Sequence, residues 1–289
     1  MSVEIKKLAV IGLGLIGGSL ARALRQAGQV GLIVGCGRSL DNLQRGVALG
    51  VIDHYTQQVA EAVQDADMIF VAVPLGAMQE VFQQMQGVVA EDAVITDGGS
   101  AKASVVADFQ TACPQQVAQF VPGHPIAGTE QNGVEASFAA LYQGSKVILT
   151  PTQQTADTAI QRVSTMWQAC GAEVVTMDVG HHDEILAATS HLPHMLAFSL
   201  VDTLARREEH DEIFRYAASG FRDFTRIASS NPQMWRDICV ANKTALGKVL
   251  QAYRADLQGL AQAVEAGDAE ALSALFERAK KARDAYSER

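Results

Sequence analysis

The chain has 289 residues, of which 48% are hydrophobic and 19% charged, and its 23 Lys and Arg against 32 Asp and Glu give a formal net charge of −9. This composition excludes disordered, collagen-like and low-complexity classes, and the absence of a Lys/Arg-rich run argues against a nucleic-acid partner. The four cysteines lie far apart and form no CxxC pair, which favours free thiols in a reducing cytoplasm over a disulfide-rich secreted scaffold or a zinc site.

The first half of the sequence alternates short β-like runs with helical patterns. This alternation predicts an α/β fold with a parallel sheet and helices on both of its faces. The predicted strands span residues 7–12, 30–36, 67–73, 93–97, 146–150 and 173–178, and the predicted helices span 15–27, 40–49, a stretch from about 101, and 155–170. The uncharged run from Leu8 to Ala21 is too short to cross a bilayer and lacks a clear cleavage site, so we expect a cytoplasmic protein without a membrane segment.

A glycine motif, Gly12-Leu-Gly14-Leu-Ile-Gly17, joins the first predicted strand to the first helix. In a βαβ unit this spacing is the dinucleotide-binding fingerprint, because the glycines allow a tight turn, approach of the pyrophosphate and close packing of the helix. Glycine-rich packing without a ligand is the alternative. The candidate cofactor-binding residues at the ends of the first and third predicted strands are Gly12, Gly14, Leu15, Ile16, Gly17, Val73 and Pro74.

The end of the second predicted strand bears on the choice of dinucleotide. An NAD site usually places a carboxylate there to bind the ribose 2′-hydroxyl. The chain instead continues into Gly37-Arg38-Ser39, where the guanidinium of Arg38 and the hydroxyl of Ser39 suit a 2′-phosphate. The sequence therefore favours NADP, with NAD as a second cofactor, unless Arg38 is merely solvated and Asp41 reaches the ribose.

Two later segments carry candidates for chemistry. Ser100 and Lys102 follow the predicted strand 93–97, at the edge where open α/β sheets bind ligands, although Ser100 also has the signature of a helix N-cap. His124 stands between a glycine and a proline on a predicted loop, and histidine is the usual general base near neutral pH. A purely structural loop histidine is the alternative.

The pattern changes near residue 178, after which only helical periodicity remains. Helices are predicted over 183–208, 211–219 and 231–266, with another from 269. We therefore expect a nucleotide-binding domain over residues 1–178 and a helical substrate and dimerisation domain over 179–289. The wide apolar stripe of the helical half predicts a homodimer, and a self-contained bundle is the alternative.

Two polar clusters stand in this helical half. In Ser190-His191-Leu-Pro193-His194 the two histidines share a helical face, and Pro193 bends the helix. A metal site would add His182 and Asp183, but nothing specifies a complete ligand set, so no metal is expected; a buried polar cluster without function is another alternative. Arginines between 222 and 236 suit carboxylate recognition, or else form salt bridges with neighbouring aspartates.

Five of these motifs occur together in the order of one family. They are GLGLIGGSL from Gly12, DGGSAK from Asp97, GHPIAGTE from Gly123, SHLPH from Ser190, and GFRDFTRIA with MWRD from Gly220. Over nearly its whole length the chain resembles the prephenate/arogenate dehydrogenases of tyrosine biosynthesis. The resemblance implies a Rossmann-type domain with an all-α dimerisation domain, and oxidative decarboxylation of prephenate, arogenate or both, with hydride transfer to NADP or NAD.

Carried over residue by residue, the resemblance implies that His124 accepts the proton of the ring hydroxyl. Ser100 would hydrogen-bond the same hydroxyl, and Arg226 would bind a substrate carboxylate. The other substrate-binding candidates are His194, His191, Ser190, Glu130, Thr129, Trp235 and Ser219, whose turn we expect near the mouth of the other subunit's pocket in a dimer. Two departures from the family pattern matter: Gly37 stands where NAD-using members carry an acid, and the chain leaves no room for the ACT or mutase domain of some members.

Two other functions fit part of the sequence. A dehydrogenase of the β-hydroxyacid type would need a catalytic lysine on the helical half, for which Lys243 is available. A non-catalytic redox sensor would explain the glycine motif. Neither accounts for His124, and the sensor also leaves Arg226 unexplained. The sequence does not decide between prephenate and arogenate.

Overall fold

The computed structural model describes residues 5–129 and 131–287. The chain forms two compact units, residues 1–243 and residues 244–289. Within the described ranges no helix is both long and apolar enough to cross a membrane.

The first unit is built on a six-stranded sheet in which all neighbouring strands are parallel. Its strands are β1 (Ile5–Ile11), β2 (Val30–Cys36), β3 (His54–Thr56), β4 (Met68–Val71), β5 (Val94–Asp97) and β6 (Phe120–Val121). The order β3-β2-β1-β4-β5-β6 reverses direction between β1 and β4, which is where sheets of this type bind ligands. The predicted Rossmann-type sheet is confirmed.

Helices cover both faces of this sheet. They are α1 (Leu15–Gln26), α2 (Leu40–Ala48), α3 (Val59–Val63), α4 (Met78–Met85) and α5 (Lys102–Ala112). Successive residues of a strand point to opposite faces, so Leu8 and Val10 pack into one buried cluster while Ala9 and Ile11 pack into the other. This two-sided burial explains why the strands read as nearly continuous apolar runs.

A second sheet of three strands lies at residues 123–176. It contains β7 (Gly123–Pro125), β8 (Lys146–Leu149) and β9 (Glu173–Thr176), with α6 (Asp157–Ala169) between the last two. The predicted β-α-β unit is confirmed as β8-α6-β9, but β7 pairs antiparallel with β8, so the unit forms its own sheet. His124 therefore lies in a short strand, opposite Ile148, and not in the predicted loop.

The rest of the first unit is helical. Its helices are α7 (Val179–Leu186), α8 (Leu192–Ala205), α9 (His210–Arg215), α10 (Ser219–Thr225) and α11 (Pro232–Ala241). Asp178 caps α7 by accepting hydrogen bonds from the amides of Gly180 and His181, and Asn231 caps α11 in the same way; such caps contribute about 1 kcal/mol each. The predicted helix over 183–208 is divided by a π-helical segment, residues 187–191.

The second unit carries α12 (Lys243–Ala266) and α13 (Ala269–Ser287). Gly267 separates them in the left-handed region, with φ of +64°, where a glycine commonly ends a helix. The helical pattern predicted over 231–266 is present as two helices, because α11 ends at Ala241 and the side chain of its C-cap residue, Asn242, turns inward.

Candidate active site

The glycine motif forms the floor of a cavity of about 720 Å³ at the carboxyl ends of β1 and β2. Gly12 has φ of +99°, and a Cβ there would lie 2.4 Å from the carbonyl oxygen of Ala72, so only glycine fits. A Cβ on Gly14 would meet nothing within 4 Å, which leaves its backbone open to a ligand at the first turn of α1. Gly17 packs against the carbonyl of Gly12. A free helix N-terminus with an exposed glycine backbone fits a pyrophosphate.

Arg38 and Ser39 line the same cavity. The Ser39 hydroxyl caps α2 by accepting a hydrogen bond from the amide of Asn42 at 3.3 Å. Asp41 is not among the described residues that line the cavity. Sequence reasoning missed four polar lining residues, Asn42, Gln57, Glu80 and Gln84, which become neighbours of the motif only through the fold.

A smaller cavity of about 370 Å³ adjoins the first and shares Gly14 and Arg38 with it. Its lining includes Leu15, Ile16, Val73, Pro74 and Ser100. Ser100 is not the N-cap of α5, because Ala101 occupies that position without a side-chain cap. The alternative that Ser100 serves as a helix cap is therefore wrong.

A third cavity, of about 560 Å³, shares Met234 with the second. Six of the predicted residues line it: His124, Thr129, Ser190, His194, Arg226 and Trp235. His191 and Ser219 are not among the lining residues, and Glu130 lies outside the described residues. The three cavities thus connect the glycine motif to a pocket that is lined by His124, His194 and Arg226.

His124 is nearly buried, with 9% of its surface exposed. Its Nδ1 lies 2.9 Å from Nε2 of His182, and Nδ1 of His182 lies 2.8 Å from Oδ1 of Asp183. Burial, with the neighbouring His182, Lys102 and His191, holds the pKa of His124 well below its ordinary value of 6.5. His124 is therefore neutral at physiological pH, as a proton acceptor must be.

The peptide of Gly123, next to His124, is held by a buried ion pair. The ammonium of Lys102 contacts Asp97 and donates to the Gly123 carbonyl at 2.6 Å, while Asp97 accepts from the Gly123 amide at 3.1 Å. Lys102 and Asp97 are both fully buried. Burial lowers the pKa of Lys102, although Asp97 acts in the opposite direction.

The two histidines of the SHLPH motif have different surroundings. His191 is 1% exposed, and its Nδ1 lies 3.1 Å from Nδ2 of the Asn242 side chain. His194 stacks on Trp235 at 3.7 Å between ring centroids, and its Nδ1 lies 2.8 Å from the Ser190 carbonyl oxygen. The π-helical segment before His191 changes the helical register at this point.

The alternative of a metal site drew on His182, Asp183, His191 and His194. Among the residues that the structure describes, no group of three or more His, Cys, Asp or Glu side chains is placed to hold an ion. His182 and Asp183 bond to each other, while His194 stacks on the indole of Trp235.

Known proteins share both the sequence and the fold. Residues 20–176 match the family model described as prephenate dehydrogenase, nucleotide-binding domain, and residues 178–278 match prephenate dehydrogenase, dimerization domain. Cyclohexadienyl dehydrogenase of Zymomonas mobilis is 39% identical over 96% of this chain and 95% of its own length, and prephenate dehydrogenase of Bacillus subtilis is 34% identical over 96% and 75%.

Two solved structures extend this similarity. Prephenate dehydrogenase from Aquifex aeolicus, in complex with hydroxyphenyl propionate and NAD+, superposes with a TM-score of 0.91 at 36% identity, covering 99% of this chain and 100% of that one. Synechocystis arogenate dehydrogenase gives a TM-score of 0.81 at 28% identity, covering 97% and 99%. With both domain models, the identities above 30% and the cleft-and-pocket geometry in agreement, the chain belongs to the prephenate dehydrogenase family.

Proposed function

We propose that the protein oxidises and decarboxylates prephenate, arogenate or both, and so forms the aromatic ring in tyrosine biosynthesis. The observation that carries this proposal is the position of His124. A histidine held neutral by burial lines a pocket that shares Met234 with the smaller cavity, and that cavity adjoins the one at the glycine motif. A base beside a hydride acceptor is what oxidation of a ring carbinol requires.

The glycine loop and the N-terminus of α1 would hold the pyrophosphate, with Leu15, Ile16, Val73 and Pro74 around the nicotinamide. When bound, the nicotinamide ring supplies the acceptor for the hydride that leaves the carbinol carbon. His124 takes the hydroxyl proton at Nε2, since its Nδ1 is occupied by His182. The carbon–carbon bond to the ring carboxylate then breaks, carbon dioxide leaves, and the bonding electrons complete the aromatic ring. The proton on His124 can return to the oxygen of the new phenol, so the exchange balances.

The remaining lining residues would position the substrate. Arg226 supplies a guanidinium for a carboxylate, and the stacked His194 and Trp235 provide a flat wall for the ring. Ser100, in the adjoining cavity, would hydrogen-bond the reacting hydroxyl. We retain Thr129 and Ser190 as pocket residues, Glu130 and His191 as substrate-binding candidates, and Ser219 as a residue near the mouth of the other subunit's pocket.

The activity is tested by mixing the purified protein with NADP or NAD and either substrate, and following the absorbance of the reduced nicotinamide. We expect turnover with at least one combination. Tight dinucleotide binding without turnover on either substrate would contradict the proposal and favour a redox sensor. Separate steady-state kinetics for prephenate and arogenate would establish which is preferred.

We further propose NADP as the better cofactor. Arg38 lines the cleft just after β2, where the ribose is expected, and Asp41 does not line it; the carboxylate of Glu80 lies on α4. An Arg–phosphate pair contributes about 1.5–3 kcal/mol, or roughly 10- to 150-fold in kcat/KM. Arg38→Ala should lower kcat/KM for NADP by that factor and leave NAD nearly unchanged. Equal kcat/KM for both cofactors in the wild-type protein would overturn the preference.

We propose a homodimer formed by the helical part, with residues 1–178 and 179–289 as the two domains. In the second unit, Leu257, Val264 and Phe276 each keep half or more of their surface exposed, which suits coverage by a second copy. Light scattering at micromolar concentration should give twice the chain mass, and a fully active monomer would contradict this.

We place the enzyme in the cytoplasm, since the uncharged run 8–21 lies within β1, α1 and the turn between them, and since Cys36, Cys113, Cys170 and Cys239 are free.

A further inference from the structure

Behind His124, away from the pocket, stand His182 and Asp183 at the start of α7. His182 is fully buried, and both of its ring nitrogens are engaged, one by His124 and one by Asp183. Neither His182 nor Asp183 lines the pocket that His124 lines. Burying an imidazole is costly unless each ring nitrogen has a hydrogen-bond partner. Each nitrogen of His182 therefore has a defined role, as donor or as acceptor.

Asp183 determines which nitrogen of His182 donates and which accepts. Its Oδ1 accepts the amide of Lys102 at 2.8 Å and its Oδ2 accepts the amide of Ala103 at 3.0 Å, both in the first turn of α5. Burial acts to raise the pKa of Asp183, but the hydrogen bonds from His182 and these two amides outweigh it, so the pKa lies below its ordinary value. The carboxylate is thus ionised and can only accept hydrogen bonds.

The donor and acceptor roles follow in sequence from this carboxylate. Nδ1 of His182 donates its proton to Asp183, and with that one proton on the ring Nε2 of His182 is an acceptor. Nδ1 of His124 must then carry a proton to donate to it, which leaves Nε2 of neutral His124 unprotonated. Nε2 is the nitrogen that remains for the pocket.

We propose that His182 and Asp183 are positioning residues that fix His124 in the tautomer that can accept the substrate proton, and that they stabilise the imidazolium formed when it does. This inference rests on the proposed function of His124. The logic is that of a carboxylate that orients a catalytic histidine, here acting through a second histidine. The other charged or titratable groups near His124 are Lys102, held by Asp97, and His191.

The first test uses the wild-type protein and does not depend on turnover. Heteronuclear NMR of the histidine ring nitrogens, with the His124 signals identified by their loss in His124→Asn, should show His124 protonated at Nδ1 and not at Nε2. The Nε2-protonated tautomer, or a rapidly exchanging mixture, would overturn the inference. Wild-type protein that turns over neither substrate would overturn the proposed function alone, and the tautomer would still decide this inference.

The second test is kinetic. His182→Gln and Asp183→Asn should each lower kcat by more than about tenfold, since loss of the carboxylate that orients a catalytic histidine can cost up to about 10⁴-fold. KM should change by less than about threefold, because neither residue contacts the substrate and ground-state binding is unaffected. His181→Gln, the same change at the exposed neighbouring histidine, is the matched control and should keep wild-type kcat. Unchanged kcat in His182→Gln would overturn the inference.

A double-mutant cycle separates positioning from a general loss of structure. In the His124→Asn background, His182→Gln should change kcat by less than about twofold, because no imidazole remains for it to orient. A structural role would reduce kcat by the same factor in both backgrounds. If Asp183→Asn folds poorly, the cycle with His182→Gln and the wild-type tautomer still decide the matter.

Discussion

Replacement of His124 by asparagine is expected to lower kcat by about 10²- to 10⁴-fold, the usual range for a lost general base, with little change in KM. The base accepts its proton only as hydride departs, so its contribution belongs to the transition state. Asparagine has similar size and keeps a hydrogen-bonding amide in the pocket. Steady-state kinetics with saturating cofactor measure both constants.

Acidification provides an independent check on the same residue. The pKa of His124 lies well below 6.5, so its neutral, active form should persist at pH 6.5 and activity should fall only as the pH decreases through that lowered pKa. This acidic limb should be absent from the residual activity of His124→Asn. His210→Asn, at an exposed histidine, is the control. If His124→Asn retains more than about a tenth of wild-type kcat, less loss than removal of a base causes, His124 is a structural residue.

Replacement of Arg226 by alanine is expected to act mainly on KM. Arg226 lies on the wall of the pocket that His124 lines, where burial and then the charge of Arg226 lower the pKa of His194. A carboxylate is present both before and during reaction, so its charged partner contributes equally to ground state and transition state. Loss of a charge-assisted hydrogen bond costs about 1.5–3 kcal/mol, or roughly 10- to 150-fold in KM.

The control for this variant is Arg207→Ala, an exposed arginine that does not line the pocket, which should leave KM unchanged. Arg226→Lys keeps the charge but not the planar fork, so it should recover only part of the affinity. A kcat loss in Arg226→Ala equal to that in kcat/KM would assign the interaction to the transition state and contradict a binding role.

The nucleotide-binding half was predictable because its signals are local. The strand-turn-helix around Gly12 joins an apolar run to a fixed glycine spacing, and β2 was predicted with its observed bounds, Val30–Cys36. Short elements were missed because two or three residues show no alternation, as in β3 and β6. The same shortness concealed β7, whose pairing with β8 comes from a partner more than 20 residues away.

Only those site residues that belong to a local sequence motif could be predicted from the sequence. His124 is separated by 58 residues from His182, and Asn242 by 51 from His191, and no local pattern relates such positions. His182 and Asp183 were noticed as metal-ligand types, but their observed partners are a histidine and the first amides of α5. The division of the helix over 183–208 has a local signal in Pro193, which lacks an amide hydrogen and stands in the first turn of α8, directly after the π-helical segment.

The buried pair of Lys102 and Asp97 limits how this sequence can change over generations. The two side chains carry opposite charges, and neither of them has any exposed surface. Loss of either one leaves an uncompensated buried charge, at a cost of about 3–5 kcal/mol. An apolar pair of similar volume would not restore stability here, because the carbonyl and amide of Gly123 would lose the side chains that bond them. The two positions should therefore both stay charged among descendants of this gene.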